Sequence, residues 1–295
     1  VDNDAYTNAM AAWVLREAAA YLAEVEAHEP AVADALRERT GIARGAAQEW
    51  RRIAEALVRS TFRDDSIVEQ FDGFFGLTEV DVTRYLRAGV PIDIAMGPAA
   101  IQRMRAVKQA DVLMSAALLP GAWSEAALRR NFAYYEPLTA HTSSLSPPIH
   151  AMLAAWLRDD ERCRGYLEQT ARIDLGDGFR GAAGGVHIAA LGGLWQAIIF
   201  GLVGFSFDEA SVAFDPFLPR GIDRLGCTLR WRGRLLRVQV DAGGRVTVQV
   251  TGMPCLVRVN CVTRTVSADT PAVFPFDHAV TLWSAADQKG GGGHA

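Results

Sequence analysis

VHIAALGGLWQAIIFGLVGF, residues 186–205, runs for twenty positions without a Lys, Arg, Asp or Glu. Its length and apolarity suit a membrane span. However, it carries His187, Gln196 and several glycines, and no basic flank anchors either end. A helix buried on all sides of a large soluble domain has the same pattern, and that is the reading taken here. Beyond it the hydrophobic period changes. Val246, Val248 and Val250 alternate with Thr247 and Gln249, while WRGR at Trp231 and DAGG at Asp241 have the composition of hairpin turns. A small antiparallel β domain is therefore expected over 208–286, with the Gly-rich end 287–295 as a disordered tail.

Upstream of the apolar segment the chain reads as helical. A long helix is predicted from Asp4 to Glu29, with Met10, Val14, Ala18, Tyr21 and Val25 stepping along one face. Trp50, Ile53, Ala54 and Leu57 repeat that spacing on a second helix. A loop rich in aromatics and acids follows, from Thr61 to Gly97. Further helices are predicted at Pro98–Leu118, Ser124–Ala133, Ser146–Leu157 and Asp159–Ala171. Ser146 before Pro147 reads as a helix start, because serine can cap free N–H groups and proline suits the first helical position. The fold class is thus mainly α with a C-terminal β domain. By itself the helical part, 1–207, fits an α-hairpin array, either a solenoid or a closed ring of helix pairs.

Composition excludes several functions. Half of the 295 residues are apolar and 22% are charged, as in an ordinary soluble globular protein. The net charge of -4 comes with no long Lys/Arg run, which speaks against a nucleic-acid partner. Cys163, Cys227, Cys255 and Cys261 show no CxxC or Cys/His ligand spacing, so no metal site is expected. Reduced thiols and a cytoplasmic location are expected, with Cys255 and Cys261 able to lie close in a sheet.

Two segments carry chemistry: YYEPLTAHTSSLSPPI at Tyr134–Ile149 and GGVHIAALGGLW at Gly184–Trp195. Together they offer an acid, imidazoles, paired hydroxyls and glycine backbone, a combination suited to holding a phosphate beside a sugar. His141, Ser143 and Ser144 present donors at close spacing, or else form a turn whose hydroxyls cap the next helix, as Ser146 is expected to do. Gly184, Gly185 and His187 precede a helix whose free N–H groups favour an anion. Lys108 and Gln109 fall within the predicted helix 98–118, where Lys108 shares a face with Ile101, Met104 and Asp111. On spacing alone that arrangement reads as a Lys108–Asp111 ion pair. Glu136 before Pro137 reads as a helix-terminal glutamate.

These segments, together with VDNDAYTNAMAAWVL at the start, QFDGFF at Gln70–Phe75 and VKQADV at Val107–Val112, resemble glycoside hydrolase family 65, the inverting phosphorylases of maltose, trehalose, kojibiose and related α-glucosides. FDPFLP at Phe214 and RWRGRLLRVQV at Arg230 resemble the family's C-terminal β-sandwich. The resemblance implies a partial (α/α)₆ barrel over 1–207 followed by a small antiparallel sandwich. It implies that Lys108, Gln109 and Glu136 hold the transferred glucosyl unit and that His141, Ser143, Ser144, Gly185 and His187 hold phosphate. Phosphate is then a co-substrate and no cofactor is implied. In that family the general acid is a glutamate a few residues before the segment that Val1 opens. The resemblance therefore implies a C-terminal part of an enzyme, inactive alone, from a parent that is a possible homodimer with no membrane or nucleic-acid partner. Neither HTSSLSP nor GGVHIAALGG holds an Asp or Glu, which favours phosphorolysis over hydrolysis. The alternatives are an acid-trehalase-like hydrolase and an inactive carbohydrate-binding fragment. DGFRGAAGGVH departs from many relatives, which carry an acid and an Asn or Thr before the histidine; Arg180 there could add positive charge near the phosphate. Acceptor choice is expected to involve the loop 61–97.

Overall fold

The computed structural model describes residues 1–57, 66–175, 185–268 and 270–277. Residues 176–184, which include Arg180 and Gly184, and the expected tail 287–295 lie outside the described residues. Two compact units emerge, one of residues 1–107 with 111–140 and one of residues 108–110 with 141–295.

The first unit holds α1 (Ala5–His28), α2 (Pro30–Thr40), α3 (Ala46–Leu57), α4 (Val82–Arg87), α5 (Ile92–Met96), α6 (Pro98–Ile101), α7 (Asp111–Leu118) and α8 (Glu125–Tyr135). Asp4 starts α1, its carboxylate accepting the Thr7 N–H at 2.8 Å. The buried face of α1 is Ala9, Ala12, Ala19 and Leu22, packed toward α3 and α7. The predicted stripe is not the packed face: Val14 and Tyr21 are 54 and 66% exposed, and Met10, Ala18 and Val25 are only half-buried. Small alanines let the helix backbones approach closely, so the tight contact falls on them. The helix α2 was not predicted, although Pro30 stands at its first turn and Gly41 ends it at φ +74°.

The expected helix 98–118 is broken between α6 and α7. Backbone groups of 103–107 pair elsewhere: Thr78 N–H to Arg103 O, Arg105 N–H to Thr78 O, Val107 N–H to Leu138 O, and Ala140 N–H to Val107 O, all at 2.7–3.0 Å. These bonds satisfy the peptide groups in an extended segment, where a continuous helix would have used them internally. Lys108 and Gln109 consequently sit in a bend before α7, and the helical face that Lys108 was to share with Ile101 and Met104 does not exist. The described part of the predicted loop 61–97 contains the two short helices α4 and α5.

The second unit holds α9 (Ser146–Trp156), α10 (Asp160–Ala171) and α11 (Ile188–Gln196), which continues as a π-helical turn, Ala197–Leu202. Then come β1 (Phe205–Phe207), β2 (Ser211–Phe214), β3 (Arg224–Trp231), β4 (Arg234–Asp241), β5 (Arg245–Thr251), β6 (Cys255–Val259), β7 (Val262–Val266) and β8 (Ala272–Pro275). They form two four-stranded sheets, β1-β2-β6-β7 and β3-β4-β5-β8. Neighbours are antiparallel except for the parallel pair β2–β6. One core serves both sheets: Phe214, Val257 and Val259 from the first meet Leu236, Val248 and Phe274 from the second, with Ile199 and Val203 added from the helix end. Each such side chain contributes about 1.5–3 kcal/mol by leaving water.

The apolar segment is buried on one face only in its first half, at Ala190 and Gly193, and more fully in its second. Ala197, Ile199, Gly201 and Leu202 are buried, whereas Ile188, Leu191 and Trp195 are 77, 41 and 53% exposed. α9 and α10 pack on α11 from one side, so the opposite stripe stays open within the unit. Among the described residues no helix is long and apolar enough to cross a membrane. All four cysteines are free thiols. Cys255 opens β6 and Cys261 lies past its other end, so the two are not brought together.

Candidate functional site

In the second unit, α9 and α11 lie side by side at glycines. A Cβ on Gly193 would meet Pro148 Cγ at 2.7 Å, and one on Gly201 would meet Met152 Cα at 3.1 Å. Both sequences advance in the same sense across this contact, so the two helices start at the same end of the unit. Residues 141–145 and 185–187, which precede the two helices, therefore lie toward that end. At the start of α11 the Ile188 N–H donates to Val186 O and the Ala190 N–H to His187 O, both at 3.0 Å, so what this end offers an anion is chiefly the positive end of the helix dipole.

His187, the residue before α11, is held by Asp174. Its Nδ1–H donates to Asp174 Oδ1 at 2.6 Å and its backbone N–H donates to Asp174 Oδ2 at 3.0 Å. The ring is part-exposed, with Nε2 as its remaining nitrogen. The hydrogen bond from the ring holds the Asp174 carboxyl below the usual carboxylate range. Gly185, exposed, takes φ +113°, which side-chain-bearing residues rarely adopt. Sequence reasoning missed Asp174. It lies 13 residues before His187, and no spacing rule links the two.

His141 is directed inward. It is buried at φ +46°, its Nδ1–H donating to Ser146 Oγ at 2.9 Å and its Nε2 accepting from the Tyr166 hydroxyl at 3.1 Å. The Ser146 hydroxyl donates to Ser143 O at 3.2 Å, and His150 Nδ1–H donates to Ser146 O at 2.9 Å. This buried network fixes the turn ahead of α9. Ser146 does not cap the helix as expected: Leu145 holds the cap position, and the Ser146 hydroxyl serves the network. Ser143 and Ser144 are part-buried in the turn, with Ser143 Oγ accepting the Leu145 N–H at 3.3 Å.

In the first unit, Glu136 caps the C-terminus of α8, its N–H donating to Phe132 O at 3.0 Å. It is part-exposed and precedes Pro137. Asn131 fixes the neighbouring chain by accepting the Val68 N–H at 2.9 Å and donating to Ser66 O at 2.9 Å. The Tyr135 hydroxyl donates to Val68 O. Lys108 and Gln109 are exposed in the segment 108–110, which belongs to the other unit.

Asp111 accepts from Gln70 Nε2 at 2.8 Å. Burial, followed by the negative charge of Asp4, pushes its carboxyl up to about 6, against the lowering effect of Gln70. A raised carboxyl binds a proton in the folded state that the unfolded state has lost, so its effect on stability becomes more unfavourable as pH rises from about 4 to about 6. Asp111→Asn keeps an acceptor for Gln70 and removes the charge. After allowance for solvent screening of this part-exposed group, it should stabilise the protein by about 1 kcal/mol at pH 7–8 and by nothing at pH 4. Thermal melts of both proteins across that range check the sign.

Residues 1–196 match the family model for the glycosyl hydrolase family 65 central catalytic domain, and residues 205–261 match that for the family 65 C-terminal domain. The kojibiose phosphorylase of Halothermothrix orenii is 32% identical over 240 residues, which are 81% of this chain and 31% of that protein. The maltose phosphorylase of Bacillus subtilis is 31% identical over 259 residues, 88% of this chain and 33% of that protein. A solved structure of a candidate kojibiose phosphorylase from the human microbiome has the same fold, with a TM-score of 0.80 at 24% identity over 92% of this chain and 37% of that one. The chain spans about a third of the length of the relatives it matches.

Proposed function

This chain belongs to glycosyl hydrolase family 65, and from that premise we propose that it is part of an inverting α-glucoside phosphorylase, which uses inorganic phosphate to cleave a glucosyl disaccharide into β-glucose 1-phosphate and a free sugar. One observation carries the reading: His187, held by Asp174, stands at the start of α11 beside Gly185, at the end of the unit where Ser143 and Ser144 also lie. The positive end of a helix, hydroxyls and an imidazole suit a phosphate oxygen. The ring can serve phosphate in either protonation state, since imidazolium Nε2–H donates to an oxygen and neutral Nε2 accepts the proton of hydrogen phosphate.

In an inverting hydrolase a second carboxylate activates water on the far face of the sugar. With phosphate as nucleophile no such base is needed, and the protein supplies position and charge. Asp174 is a carboxylate at this end of the unit, but both its oxygens accept from His187, so it serves the imidazole. Lys108, Gln109 and Glu136 would grip the glucosyl unit.

Hydrolysis is the second reading, because a carboxylate–imidazole pair is also how a general base is built. A longer protein containing this chain is expected to cleave kojibiose, maltose or trehalose only when phosphate is present, and to release the β anomer of glucose 1-phosphate. Proton NMR of the first product formed reads both results. Equal cleavage rates with and without phosphate would establish hydrolysis.

A further inference from the structure

In the first unit a cleft of about 500 Å³ opens between the segment after the QFDGFF stretch and the end of α8, lined by Glu79, Asp81, Arg105, Tyr134, Pro137 and Leu138 among others. Its volume lies in the range of small-molecule sites, about 300–1,000 Å³. Glu136, although next to Pro137 in sequence, is not one of its lining residues.

The walls are fixed by backbone. The Thr78–Met104 bridge holds one wall beside Arg105, and the Val107–Thr139 bridge holds the other behind Leu138. Arg105 is anchored three ways: Nη1 donates to Glu79 Oε1 at 3.1 Å, and Nη2 donates to Phe75 O at 2.6 Å and Leu77 O at 3.1 Å. Its Nε is buried without a hydrogen-bond partner. Asp81 is anchored too, accepting the Thr83 hydroxyl at 2.6 Å and the Arg84 N–H at 3.1 Å. Glu79 remains 83% exposed at the rim. Tyr134 is set by edge-on rings, Phe75 at 5.9 Å and Tyr135 at 4.9 Å.

Two carboxylates against one guanidinium disfavour an anion, and the guanidinium disfavours a simple cation. A neutral polyhydroxylated ligand satisfies both charges: its hydroxyls donate to Glu79 and Asp81 and accept from Arg105, while its C–H face lies on Tyr134, Pro137 and Leu138. We propose that this cleft is a carbohydrate-binding site separate from the residues assigned to the reaction. The assignment rests on the family reading only for the choice of sugar.

The test is calorimetric titration of the 295-residue chain with maltotriose. Saturable binding is expected, weakened at least tenfold by Glu79→Gln and by Tyr134→Ala. Glu79→Gln changes an exposed side chain, so it keeps the test valid should Tyr134→Ala fail to fold. Loss of binding in Lys108→Ala with none in Glu79→Gln would place the sugar on the reaction residues and overturn the proposal. No heat at all from the parent chain would also overturn it. Neither result bears on whether the longer enzyme needs phosphate, so the two readings fail separately.

Discussion

Gly204→Ala is expected to be among the most damaging single-methyl additions in this protein, with a cost of at least about 3 kcal/mol. Gly204 joins the helical turn to β1 at φ +62°, and a Cβ built on it would lie 2.0 Å from the backbone oxygen of Asp215 and 2.4 Å from its carbonyl carbon. Neither atom belongs to a side chain that could rotate away. The Asp215 N–H donates to Gly204 O at 3.0 Å and the Phe217 N–H to Leu202 O at 2.8 Å, so moving one chain from the other breaks this pairing. The left-handed conformation alone accounts for about 1–2 kcal/mol; the loss of backbone bonds makes up the rest. Gly221→Ala is the control. That residue has φ +89° with no atom within 4 Å of its added Cβ, so only the conformational cost applies. Urea unfolding of both variants should separate them by at least about 1.5 kcal/mol. Equal midpoints would show that the close approach at Gly204 relaxes freely.

What could be read from the sequence follows from how local each cause is. The β domain was legible because burying one sheet face imposes period two, and Val246, Val248 and Val250 are all buried. The span of α1 was legible and its packed face was not. Hydrophobic weighting favours Val14 and Tyr21, yet close helix contact selects Ala9, Ala12 and Ala19. The break before α7 depends on Thr78 and Leu138, residues distant in sequence whose backbone groups compete for those of 103–107. In the candidate site, GGVH pointed to a helix start, and His187 lies there. Its partner Asp174 was hidden for the same reason that Tyr166 was: each reaches its histidine only through the packing of α9, α10 and α11. An imidazole in a sequence motif says nothing of whether its ring stays part-exposed, as with His187, or turns to the interior, as with His141.

Asp215→Ala is expected to cost about 3–5 kcal/mol, because it strands a buried positive charge. Arg158, just beyond the end of α9, donates from Nη2 to Asp215 Oδ1 at 2.8 Å and from Nη1 to Pro216 O at 3.2 Å. Asn260, past the end of β6, donates from Nδ2 to the same Asp215 Oδ1 at 3.1 Å. The Arg158 and Asp215 side chains are only 13 and 11% exposed, and the guanidinium lies over the Phe217 ring at 5.5 Å. Water can replace little of this, and salt screens it weakly. Asp215→Asn retains an acceptor for both partners and should cost less than half as much. The drop should be the same in low and high salt, which distinguishes this pair from an exposed one such as Arg172–Glu168. A fall below about 1 kcal/mol for Asp215→Ala would mean that the pair is solvated. The consequence reaches the candidate site, since α9 carries the turn 141–145 at one end and Arg158 beyond the other. Anchoring the far end to the β domain fixes the axis along which Ser143 and Ser144 are presented. On the phosphorolytic reading proposed above, Asp215→Asn in a longer active protein should therefore raise the KM for phosphate before it lowers the melting temperature by more than a few degrees.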